Sequence, residues 1–301
     1  MAYKKRKHVK RMLSDRIFIV ADWIILMLFL VLLLYPLLFV VSASLSGGSV
    51  TMSLSLIPKS ISLAGYKAVF GYSQLWRSYL NSAVYACVGT LISLIVTVCC
   101  AYPLSRSELK YGKYMMALCI FTMYFSGGMI PTYLTIKNMH MLDTIWALVI
   151  PGSLSVYNMI VMRTYFKTQI PEELREAAKI DGCPELKYLL SIVIPLSVPI
   201  LAVITLFCIV GHWNSYFGPM LYLSSNEKFP LAMILRNILV LNNVDPSQGI
   251  SIGAEELVDL QKRRETMKYA VILVSSVPML IIYPFVQKYF VKGIMIGSVK
   301  G

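Results

Sequence analysis

Apolar and polar positions along this chain follow neither the stripe of an amphipathic helix nor the alternation of a half-buried strand. Runs that are apolar all round are separated by short segments that carry nearly all the charge. A helix rising 1.5 Å per residue needs about 20 such residues to cross the hydrocarbon of a bilayer. Six segments qualify: Ile17 to Ala43, apolar but for Asp22 near its start; Ala83 to Ala101, Tyr114 to Ile136 and Thr144 to Met162, all uncharged; one inside Tyr188 to Leu223, from Pro199 onward; and Tyr269 to Val286. Backbone polar groups in lipid must be satisfied within the segment, so each is predicted to be a helix. The fold class predicted is an all-α polytopic membrane protein with six transmembrane helices. Pro36, Gly127-Gly128 with Pro131, Pro151-Gly152 and Pro278 interrupt these runs and read as kinks or close-packing points. The Gly127-Gly128 pair, beside Tyr124 and Ser126, also reads as a break lining a pathway.

Composition agrees with this layout. The 301 residues are 57% hydrophobic and 14% charged, against about 25% charge in soluble domains. Mean hydropathy is +0.68. The net charge of +13 does not mark a nucleic-acid binder, because the basic residues lie between apolar runs rather than on a soluble face. With both termini in the cytoplasm, 18 of the 28 Lys and Arg fall on the inner side and 10 on the outer, the bias expected of a plasma-membrane protein. Lys262, Arg263, Arg264 and Lys268, at the outer start of the last span, run against it. A signal peptide is the competing reading of the N-terminus, since Met1 to Arg16 is basic and Val41-Ser42-Ala43 resembles a cleavage site. The apolar stretch is longer than the 7–15 residues of a signal core, so it reads as a retained span. The organisation is then a basic cytoplasmic segment 1–16, a membrane domain 17–291 and a cytoplasmic tail 292–301. Six cysteines without CxxC spacing and three scattered histidines predict neither disulfides nor a metal site.

The cytoplasmic stretch 164–195, between the fourth and fifth spans, breaks the apolar pattern. Pro171 suits a first helical position, Glu172 and Glu173 complement the positive end of the helix dipole, and Gly182 suits a left-handed stop. Pro184, with Glu185 beside it, opens a second helix, and an apolar run follows to Pro195. The result is an elbow of two short helices in which paired Ala177 and Ala178 admit close approach by another protein. On the residues alone, this elbow reads equally as a docking surface or as an amphipathic helix lying on the inner face of the membrane.

The spacing Glu176-Ala177-Ala178, then Gly182, then Ile192-Val193-Ile194-Pro195 resembles the EAA loop of permease subunits of bacterial ATP-binding-cassette (ABC) importers. It departs only at Ile194, where that family has Leu. Asn81-Ser82, Ala101-Tyr102-Pro103-Leu104-Ser105-Arg106, Trp213-Asn214-Ser215-Tyr216-Phe217 and the tail from Lys292 to Gly301 look like the carbohydrate permeases of the MalG type, in the branch that includes the LplC and YtcP proteins. The resemblance implies a type I importer half that lies in a bacterial plasma membrane and crosses it several times. Its partners would be a second homologous permease, two ATP-binding cassette subunits, an extracellular solute-binding lipoprotein and a carbohydrate substrate. It also implies that Glu176, Ala177, Ala178, Asp181, Gly182 and Pro195 couple the permease to the ATPase. The chain has no GxxxxGK[ST] loop, so ATP and Mg belong to the partners and no cofactor or catalytic residue is expected here. Sugars favour aromatic faces and amide donors, which nominates Tyr124, Asn158, Trp213, Asn214 and Tyr216 for the substrate pathway. A peptide or amino-acid permease is the alternative cargo reading. An ion-coupled secondary transporter is a further alternative, weakened because Asp22 is its single candidate intramembrane charge.

Overall fold

The computed structural model describes residues 13–46, 60–241, 266–284 and 287. The tail 292–301, most of segment 1–16 and the cluster Lys262 to Arg264 lie outside the described residues. These described residues are helical apart from turns and an isolated bridge between Ser46 and Ile61.

The chain divides into two compact units. Residues 1–69 and 250–274 make the first, and 70–249 with 275–301 the second. In the first unit α1 (Leu13–Leu45) covers the predicted first span and extends it at both ends. Its middle carries no buried residues, as expected of a helix whose solvent is lipid. At its far end the Ser44 hydroxyl lies 2.9 Å from the Tyr66 hydroxyl, on α2 (Ala64–Gly71). Phe39 meets Tyr269 edge-on at 6.0 Å, near the start of the last helix, Thr266–Pro284.

In the second unit a 33-residue helix, α3 (Ser73–Ser105), is the central post. Most of its buried positions, Ser78, Ser82, Ala86, Gly89, Thr90, Ser93, Thr97 and Ala101, form a stripe of small residues; Leu75, Val98 and Leu104 are the larger exceptions. Small side chains let helices approach closely where no hydrophobic driving force separates protein from lipid. Gly89 shows why: a Cβ there would lie 2.6 Å from the imidazole of His212.

Two predicted spans differ from single helices. Tyr114 to Ile136 divides into α4 (Gly112–Tyr124) and α5 (Met129–Asn138), bent by 109°. Gly128 holds φ +88°, a conformation that side chains rarely adopt, so the glycine pair turns the chain instead of kinking it. At 1.5 Å per residue the pieces are about 20 and 15 Å long, each short of a bilayer crossing. Thr144 to Met162 likewise divides into α6 (Trp146–Val149) and α7 (Val156–Gln169). Pro151-Gly152 interrupts the helix, and Ser155 restarts it by accepting the Asn158 amide, 3.4 Å away. By length and composition the described residues hold three helices able to cross a membrane, or up to five if each bent pair is one span.

After α7 the chain enters the elbow, made of α8 (Glu172–Ile180) and α9 (Glu185–Tyr188), and continues through a π-turn (Leu189–Val193) and α10 (Ile194–Leu196). It then turns by 82° into α11 (Val198–Trp213), which fits the predicted start near Pro199. Short helices α12 (Phe217–Tyr222) and α13 (Leu231–Arg236) follow. The main core joins α3 (Val98, Ala101, Leu104), α7 (Met159, Met162, Phe166), the elbow (Ala178, Tyr188, Leu189, Val193) and α11 (Ile200, Ile204). The elbow is therefore part of the packed interior on one side.

Candidate functional site

The elbow folds as its residues dictate, with one shift at each start. Pro171 and Pro184 sit just before their helices, in extended conformations, rather than at the first helical positions. At the end of α8 the Gly182 amide donates to the Lys179 carbonyl (3.1 Å) and the Cys183 amide to that of Ala178 (2.9 Å). That pair of bonds is a Schellman motif, and it holds Gly182 at φ +69°.

The two faces of α8 do different things. Ala178, predicted to pair with Ala177 as an outer contact, turns inward and is buried in the chain's own core. Its neighbour Ala177 remains exposed, because consecutive helical residues point about 100° apart. Glu176 and Asp181 are exposed, and so are two large apolar side chains, Ile180 (86%) and Leu186 (67%). Pro195 lies in α10, where the arm approaches the corner into α11.

On the inner side, an ion cluster absent from the sequence reading locks the elbow to the end of α3. Arg175, 11% exposed, bonds Glu108, Glu172 (2.7 Å) and Glu185 (3.2 Å). The Tyr102 hydroxyl, from the last turns of α3, donates to Glu185 at 2.5 Å. Arg106 lies 3.6 Å from Glu172, with its guanidinium over the rings of Tyr102 (4.4 Å) and Tyr188 (5.4 Å). Arg163 of α7 donates to the Leu104 carbonyl (2.7 Å), so a third helix end joins the assembly. Arg175 holds the Glu108 carboxyl below the ordinary carboxylate value. The Tyr102 hydroxyl, with Arg175, does the same for Glu185.

At the opposite end of α3 a second polar network closes the bundle. Asp143, at φ +56°, accepts from the Ser224 and Ser225 amides (3.0 and 3.1 Å), the Ser225 hydroxyl (2.7 Å) and Lys228 (2.6 Å). Lys228 first, then the Ser225 hydroxyl, pushes its carboxyl far below the ordinary range. Asn81 donates to the carbonyls of Glu227 (2.8 Å) and Phe229 (3.2 Å), and the Ser82 hydroxyl accepts the Leu231 amide (2.8 Å). The Asn81-Ser82 pair thus ties the loop 223–230 onto α3.

The five nominated pathway residues do not form one site. Tyr124 is 75% exposed at the end of α4. Trp213 is buried edge-on against Tyr79 (5.7 Å). Asn214 is exposed, and Tyr216, 47% exposed, packs edge-on to Phe217. Asn158 alone among them lines a cavity of about 360 Å³ between α3, α7 and α11.

By fold this is a helical membrane protein whose apolar helices surround a braced elbow with an exposed outer face. No protein-family model matches the chain. It is 37% identical over 291 residues, 96% of this chain and 100% of the relative, to the polygalacturonan/rhamnogalacturonan transport system permease protein YtcP of Bacillus subtilis. Protein LplC of the same organism is 39% identical, over 88% of this chain and 89% of that one. Among solved structures, a chain of a bacterial ABC transporter that imports the acidic polysaccharide alginate superposes with a TM-score of 0.83 at 34% identity, covering 94% of this chain and 99% of that one. The chain belongs to the permease subunits of carbohydrate ABC transport systems.

Proposed function

We propose that this chain forms half of the translocation pathway of an ATP-driven importer for acidic oligosaccharides and receives its motion through the elbow. One observation carries the coupling role. Arg175 and Ala178 fasten one face of α8 to the bundle, while Glu176, Ala177, Ile180 and Asp181 leave the other face open, with Leu186 of the second helix exposed beside it. A lever needs such a division, because a force on the free face must reach the helix ends without loss in a soft joint. Two exposed apolar anchors beside two carboxylates suit a groove on an ATPase subunit with apolar walls and a basic rim. The elbow itself does no chemistry. Any response to nucleotide comes from the difference in binding between two states of the assembly.

The remaining arrangement is part of the same reading. Both termini face the cytoplasm, a second permease completes the pathway, two ATPase subunits bind ATP and Mg, and an external solute-binding protein delivers cargo. No cofactor resides in this chain. Acidic cargo is supported by the names of two relatives, the polygalacturonan/rhamnogalacturonan permease and the alginate importer.

The test uses the complete importer in proteoliposomes. Gly182 sits at φ +69° and donates through its amide, whereas proline is locked near −65° and has no N–H. Gly182→Pro should therefore insert into the membrane yet lose sugar-dependent ATP hydrolysis. Gly182→Asn, which tolerates left-handed backbone, should retain most of it. Normal coupling in the proline variant refutes the lever.

A further inference from the structure

The cavity between α3, α7 and α11 is unlike its surroundings. Ser93 and Thr97 of α3, Ser153, Ser155 and Asn158 at the start of α7, and His212 of α11 face a space of about 360 Å³. At about 30 Å³ per water this has room for a dozen, and it falls within the range of small-ligand pockets. No Asp, Glu, Lys or Arg lines it. Hydroxyls and amides in an apolar bundle are costly unless they meet partners, so their convergence on one space calls for a polar occupant. The Asn158 side-chain amide, on a residue only 8% exposed, has a single long contact to Cys208 Sγ (3.9 Å) among the described residues. His212 is seated against α3 by the absent side chain at Gly89, one helical turn from Ser93, so its ring has a fixed position at the cavity wall.

The cavity's depth agrees with a transport role. His212 lies fourteen residues along α11 from Val198, about 21 Å from the elbow corner at 1.5 Å per residue. A polar chamber at that depth is neither in the elbow nor in the Asp143 network.

We propose that this cavity seats one carboxylate-bearing sugar unit of the cargo as it crosses, with Asn158 and His212 donating to the carboxylate and the Ser93 and Thr97 hydroxyls meeting the ring hydroxyls. The proposal rests on the transport reading above and adds the site. The acid character of the cargo comes from that reading; the lining supplies donors and no opposing carboxylate, so an acid unit meets no like charge there, and without Lys or Arg it is held loosely enough to move on.

Cys208 also lines the cavity and reports occupancy directly. In the assembled importer, with Cys87, Cys99, Cys100, Cys119 and Cys183 replaced by Ser, the rate of Cys208 modification by a small methanethiosulfonate reagent is followed under ATP turnover. At about ten times its dissociation constant, a galacturonate trisaccharide should leave about one site in eleven free and slow modification about tenfold. Maltotriose at the same concentration should leave the rate unchanged. Asn158→Leu and His212→Phe should each abolish the protection. Thr97→Val, the mildest change, should halve it, which keeps the test open if the larger substitutions disturb assembly. Unprotected Cys208 while uptake of the trigalacturonate proceeds overturns the site but leaves the transport reading standing. Equal protection by both sugars overturns the acid preference. Failure of the wild-type importer to take up either sugar with ATP defeats the transport reading, and the site with it.

Discussion

Arg175→Ala removes the centre of the brace between elbow and bundle, and its effect follows from the exposure of the partners. The guanidinium is 11% exposed, but the carboxylates of Glu172 and Glu185 are 53% and 60% exposed. Pairs this wet contribute about 0.5–1 kcal/mol each, not the 3–5 kcal/mol lost when one partner of a buried pair is removed. Losing these two, which tie the arms of the elbow to each other, costs about 1–2 kcal/mol, a factor of about 5–30 in the ratio of loosened to braced elbow, and the bond to Glu108 beyond α3 is lost with them. The change is too small to unfold the protein and large enough to decouple it. Backbone hydrogen exchange over residues 172–188 in the assembled transporter should accelerate by that factor, with sugar-dependent ATP hydrolysis falling in step and membrane insertion unaltered. Arg175→Lys, which retains the charge but not the fork that reaches three carboxylates, should fall between wild type and alanine. Unchanged exchange over 172–188 in the alanine variant would show that apolar packing of Ala178, Tyr188 and Leu189 alone fixes the elbow, and the ion cluster would lose its mechanical role.

Two further expectations concern the rest of the bundle. Asp143→Asn should destabilise the loop 223–230 by about 1–2 kcal/mol, since the carboxylate's charge-assisted bonds are lost beside a half-exposed Lys228. Because the folded-state value of Asp143 is depressed, its contribution is fully present above the unfolded carboxylate value of about 4 and is lost as pH falls toward the folded value. Thermal melts should therefore show a constant gap between wild type and variant from pH 7 to about 4, narrowing below that. Gly89→Ala should drive a methyl to within 2.6 Å of the His212 ring and cost about 1–3 kcal/mol of thermal stability through overpacking. Combining it with His212→Ala should recover most of the loss, and simple additivity of the two changes would refute the contact.

Residue order alone fixed several features of this protein. Unbroken apolar stretches dictate membrane helices, because lipid offers the backbone no hydrogen-bond partner. The spacing from Pro171 to Pro195 dictates the elbow, because its capping glycine and prolines act on their immediate neighbours. These are local rules, legible without the fold. The break at Gly127-Gly128 was visible as a break, but its size was not: the 109° turn depends on which way φ +88° points the next helix. Folding decided what is non-local. Glu108 meets Arg175 across 67 residues, Asn81 meets Glu227 across 146, and Ala178 faces the core while Ala177 does not. The cavity gathers residues from 93 to 215 that no spacing connects. Such pairings follow from how close α3 can come to α7 and α11, and that closeness is set jointly by the small side chains of α3 and the large ones, among them Met159, Met162 and Ile204, that its neighbours pack against them.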